Sequence, residues 1–98
     1  MNLKLVLVSC NEAIDDEVMD ALTAAGMVNY TKLARVYGKG ASSGIHQVDD
    51  VWPGLNNVLL AVVDGDAATR MLDAIRGLRK TLGREGVKAF VLPVEAAT

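Results

Sequence analysis

Residues 44–57, GIHQVDDVWPGLNN, hold the chain's only His, its only Trp and one of its two Pro. His46, Asp49 and Asp50 are residue types that bind divalent cations, since imidazole and carboxylate are ordinary ligands. Their spacing follows no metal-binding motif, so a solvated His is the plainer reading and no metal ligand is assigned. Trp52 can stack on a ligand or anchor a partner protein. It can equally be structural, capping a sheet while Pro53 and Gly54 turn the chain into a strand. Catalysis has little to work with. Cys10, Ser42 and Ser43 lack a second His or a fixed base to activate them. The paired carboxylates Asp15 and Asp16 have a simpler explanation as the acidic start of a helix. The chain is therefore not expected to be an enzyme.

The bulk properties narrow the class further. Ninety-eight residues make one domain, residues 1–98, with half of them apolar and only 4% aromatic. A core of Val, Leu, Ile, Met and Ala in a domain of this size is often completed by oligomerisation. A net charge of −2 argues against nucleic acid, because neutralising phosphates requires a basic stripe. The run Arg76, Arg79, Lys80 and Arg84 reads as a solvated helix face. The single Cys10 excludes an internal disulfide and suits a reducing compartment, so a cytoplasmic location is expected. The apolar N-terminal run is too short to cross a bilayer and lacks a cleavage pattern, so no membrane insertion is expected.

The residues singled out must be held by a small set of elements. Leu3 to Ser9 reads as a buried strand. In residues 14–26, Ile14, Val18, Leu22 and Ala25 recur at helical spacing, with acidic residues in the first turn and Gly26 as the stop. Residues 28–37 alternate, Tyr30, Lys32, Ala34 and Val36 against Thr31, Leu33, Arg35 and Tyr37, as an edge strand does. A polar connection then runs to about Asn56, long enough to be functional or disordered. Its residues 39–50 are expected to be mobile and 51–57 better fixed. Val58 to Val63 is an aliphatic strand. Residues 65–83 form a second helix with the stripe Ala68, Met71, Leu72, Ile75, Leu78 and Leu82, started by Asp64 or Asp66. Gly77 weakens that helix. VKAFVLPV is a last strand, with Pro93 suited to an end or an edge. The order βαβ, loop, βαβ predicts an α+β, ferredoxin-like βαββαβ sandwich: a four-stranded antiparallel sheet with two helices on one face. Strands apolar on both sides favour a homo-oligomer packed sheet against sheet.

In sequence, IDDEVMDALTAAGM resembles the first helix of the PII signal-transduction superfamily. YTKLARVYGKG resembles that family's second strand entering the T-loop, residues 38–56 match the T-loop's place, and LGREGVKAFVLPV resembles the B-loop and following strand. The resemblance implies a homotrimer with ATP, ADP or AMP bound in clefts between subunits. Gly38, Lys39 and Gly40 would be the T-loop base, and Gly83, Arg84, Gly86 and Lys88 the B-loop contacts. Such glycines let backbone N–H groups approach phosphates, and Arg or Lys supplies counter-charge. GREGVK is shorter than the usual T-G-x-x-G-D-G-K, and residues 38–56 contain no Tyr to accept a uridylyl group. VWPGLNN resembles a signature of the divergent PII-NG branch, associated with heavy-metal efflux pumps.

The family reading is thus a regulator whose 38–56 loop responds to a small ligand and contacts a protein, a membrane transporter. His46, Asp49, Asp50, Trp52, Pro53 and Asn56 would form the contact, with Asn56 and Asn57 bonding back to the loop base. The alternative is a CutA-like trimer that binds divalent metal on the same fold.

Overall fold

An aliphatic strand that pairs on both sides becomes the middle of a sheet, and the run from Leu3 does so. The computed structural model describes residues 2–38, 55–82 and 86–98. Its elements are β1 (Leu3–Asn11), a 3-10 turn (Glu12–Ile14), α1 (Asp15–Ala24), β2 (Thr31–Tyr37), β3 (Leu55–Asp64), α2 (Gly65–Leu82) and β4 (Val87–Pro93). The strands form one sheet in the order β2-β3-β1-β4, each neighbouring pair antiparallel. This is the predicted βαββαβ sandwich.

Side-chain alternation sorts the sheet into two faces. Val6, Val8 and Cys10 of β1 are buried, and their β3 partners are Ala61, Leu59 and Asn57. They join Val18 and Leu22 of α1, and Met71 and Ile75 of α2, in one core. Burying each such aliphatic side chain contributes roughly 1.5–3 kcal/mol. Both helices therefore cover this face. The other face carries Leu5, Leu7 and Ser9, opposite Val62, Leu60 and Val58 on one side and Leu92, Phe90 and Lys88 on the other. No helix covers it: Leu33, Val62, Phe90 and Leu92 are 49, 52, 55 and 43% exposed.

Local chemistry sets the element ends. Asn11 Oδ1 accepts the Ala13 N–H and starts the 3-10 turn, so α1 begins at Asp15, one residue later than the periodicity suggested. At its other end Gly26 takes φ 109, with Gly26 N–H bonded to Thr23 O and Met27 N–H to Leu22 O. That left-handed stop places Met27 in the core. Of the two candidates for starting α2, Asp64 does so, accepting the Ala67 N–H at 2.8 Å.

Four expectations need correction. β2 begins at Thr31, and Val28 is left 80% exposed ahead of it. β3 begins at Leu55, because Leu55 and Asn56 continue the ladder opposite Tyr37 and Val36. Leu82 lies at the exposed end of α2, while Ala67 takes a place in its buried stripe. The simple alternation of β2 is broken by a bulge between Leu33 and Val36. Pro93 does close an edge strand, as its missing N–H requires.

Gly77 sits inside α2 with open space where a Cβ would go. Gly77→Ala should therefore raise unfolding stability by about 0.5–1 kcal/mol, read as an increase in the denaturation midpoint at unchanged slope.

Candidate functional site

The registers bring the described members of the expected ligand set, Gly38, Gly86 and Lys88, to one end of the sheet. Tyr37 pairs with Leu55, Asn56 with Asn11, and Cys10 with Val87. The end of β2 carrying Gly38 and the start of β4 carrying Gly86 and Lys88 therefore lie at the same end. They lie on opposite edges, however. Three strand-to-strand steps separate β2 from β4, roughly 14 Å at the usual spacing.

Both glycines are held close to neighbours. A Cβ on Gly38 would collide with the Asn56 side-chain amide, so Gly38 and Asn56 brace the base of the connection. A Cβ on Gly86 would come within 2.9 Å of Ile14 Cδ1, and Gly86 O accepts the Asn11 N–H at 2.8 Å. Gly86, just before β4, is thereby fastened to the junction of β1 and α1. Lys88 is exposed, on the open face opposite Ser9. Lys39, Gly40, His46, Asp49, Asp50, Trp52, Pro53, Gly83 and Arg84, and the expected mobility of residues 39–50, lie outside the described residues. Cys10 is a buried core member, 1% exposed. Burial raises its pKa, and the Asp15 charge adds to this against Lys32 and an Asn57 backbone bond, so it stays a thiol.

Beneath this end lies a polar network that the sequence reading missed. Lys32 donates to Asp15 Oδ2 at 2.8 Å, and Asn57 Nδ2 donates to Asp15 Oδ1 at 2.7 Å. Asn57 Oδ1 accepts the backbone N–H of Arg35 at 2.9 Å, and the Arg35 guanidinium reaches Glu12 at 2.9 Å. The bulge sits here: Ala34 and Arg35 together oppose the single Asn57. The side-chain partners of Asn57 are thus the β2 bulge and Asp15, and not Gly38 at the loop base. Asp15 is more than a helix-dipole residue, since it pairs across to the edge strand. A Lys in an otherwise mixed strand and an Asn doublet opening an aliphatic one were the available signals. Only the register joins them. Among the described residues, no group of three or more His, Cys, Asp or Glu side chains could hold a metal ion. No helix among them is long and apolar enough to cross a membrane.

Burial works to raise the Asp15 pKa, but the hydrogen bonds from Lys32 and Asn57 outweigh it and hold the carboxyl below the usual range. The bond to Asp15 is the main cause raising Lys32, against a smaller opposing effect of burial. A carboxyl depressed in the folded state adds stability above its unfolded pKa and loses it as pH falls through the folded one. A raised Lys adds stability below its unfolded pKa and loses it as pH rises through the folded one. The pair is therefore fully effective between these limits. Asp15→Asn should cost about 1–3 kcal/mol at neutral pH and flatten the acid side of the stability curve, measured by denaturant titration across pH.

Comparison with known proteins agrees with the architecture. No curated protein matches the sequence. Among solved structures, a PII-like signaling protein from Thermus thermophilus is 26% identical, with TM-score 0.63, covering 96% of this chain and 91% of that one. CPII from Thiomonas intermedia K12, bound to ADP, AMP and acetate, is 19% identical with TM-score 0.71, covering 98% and 89%. The same protein bound to ADP, AMP and bicarbonate is 18% identical with TM-score 0.70, covering 98% and 93%. The CPII likenesses show the shared fold. The family profile described as nitrogen regulatory protein P-II matches residues 3–98. The chain belongs to the nitrogen regulatory protein P-II family.

Proposed function

We propose that this protein is a non-enzymatic, cytoplasmic regulatory trimer that binds an adenine nucleotide between subunits and passes the signal to a partner protein. The observation carrying this reading is that Gly38 and the Gly86–Lys88 pair lie at one end of the sheet but on opposite edges. A ligand touching both sets is poorly served by one chain, whereas a neighbouring copy can bring its β4 edge beside β2. Gly38, Lys39 and Gly40 of one subunit would then face Gly83, Arg84, Gly86 and Lys88 of the next. CPII, of the same fold, is bound to ADP and AMP, which supports that ligand class.

The open face supports the trimer. Leu33, Val62, Phe90 and Leu92 form an apolar patch of the kind that soluble proteins cover by association. In this reading the partner meets His46, Asp49, Asp50, Trp52 and Pro53 on the 39–54 connection, with Asn56 bracing its base. A membrane transporter is the partner class implied by the VWPGLNN resemblance.

Two measurements test the proposal. Light scattering should give a trimer mass, and Val62→Lys, which leaves the core untouched, should reduce it to a monomer. A monomeric parent protein would overturn the assembly. Calorimetry should detect ADP or ATP, with Lys88→Ala weakening binding by about tenfold or more, ~1.5–3 kcal/mol for a lost charge-assisted contact. Heat from divalent metal with none from any adenine nucleotide would replace this reading with the CutA-like one.

A further inference from the structure

The bulge in β2 decides which face the loop base presents. β2 and β3 pair regularly as far as Leu33 opposite Val58, then resume with Val36 opposite Asn56. In an unbroken ladder Val36 would oppose Leu55, and Tyr37 would share the open apolar face with Leu33. The extra residue instead sets Tyr37 opposite Leu55, on the face that carries the helices, where it stays 82% exposed. Gly38 follows in the shifted register. One bulge thus keeps an aromatic out of the apolar face and turns it outward beside the expected ligand residues.

This arrangement is held against a local preference. Arg35 has φ 58, the only positive φ at a non-glycine among the described residues. Asn57 Oδ1 takes the Arg35 N–H, and Asn57 Nδ2 is tied to Asp15, itself paired with Lys32. Asn57 is also the one buried polar residue among those described, 7% exposed, and both ends of its amide are used. A carboxamide suits this position because it offers an acceptor to the strand and a donor to the carboxylate at once.

We propose that Asn57 is a positioning residue for ligand binding: by fixing the bulge, it sets the register and face at which Tyr37 and Gly38 meet the nucleotide. The ligand half of this inference rests on the function proposed above; the bulge half stands alone. Asn57→Asp places two carboxylates against each other, whereas the double variant Asn57→Asp with Asp15→Asn restores one donor and one acceptor in exchanged positions.

The readouts are amide exchange at Arg35, Val36 and Tyr37, trimer mass, and ADP affinity by calorimetry. Asn57→Asp should speed exchange at these amides and weaken ADP binding, each by about tenfold or more, with trimer mass unchanged. The double variant should return both to within about twofold of the parent, which general destabilisation would not do. Unchanged exchange in Asn57→Asp, or a double variant that recovers nothing, overturns the inference. Should the parent bind no adenine nucleotide, the proposed function falls, while the exchange measurements still decide whether Asn57 holds the bulge.

Discussion

The pairing of β1 with β3 is the constraint on which the other features rest. The two strands run together from Leu3 opposite Asp64 to Asn11 opposite Asn56, and both are aliphatic on both faces. Two helices supply cover for one face only. Val6, Val8, Leu59 and Ala61 are thereby sealed under α1 and α2, while Leu5, Leu7, Leu60 and Val62 look outward. The uncovered face follows from strand chemistry and helix count together. It is also why an assembled form is the economical reading of a chain this short.

The same pairing places chemistry at the end of the sheet. Because β1 lies between β3 and β4, its C-terminal end meets the start of both. Asn11 therefore touches Asn56 on one side and the Gly86 carbonyl on the other. Gly38 and Gly86, far apart in sequence, are tied to one structural reference. Their separation across the sheet turns a question about a binding site into a question about assembly.

Polar groups at this end serve register more than they serve bulk stability. The surface pair Arg35–Glu12, with side chains 67 and 36% exposed, contributes little. The Asp15–Lys32–Asn57 set is more enclosed and linked by two side-chain hydrogen bonds through Asp15, and it fastens a largely exposed edge strand. An edge strand with mixed faces is prone to slip by a residue, and a buried amide pinned at both ends opposes that.

Much of this was legible from residue order. Aliphatic runs at Leu3 and Val58, helical periodicity from Val18 to Leu22 and from Ala68 to Ile75, and stops at Gly26 and Pro93 are local signals. They determine element type, order and the ferredoxin-like class, because periodicity and backbone preference act within a few residues. The likeness of YTKLARVYGKG and LGREGVKAFVLPV to PII segments likewise needed only the chain, and the family match extends over residues 3–98. Tertiary structure decided what depends on pairing between distant segments. Leu55 and Asn56 became strand because Tyr37 and Val36 were there to pair with them. Arg35 took a left-handed conformation because Asn57, held by Asp15, captured its N–H. Tyr37 changed face because the ladder gained a residue. None of these has a signature within its own neighbourhood, since each results from a hydrogen bond whose partner is set only when the sheet closes.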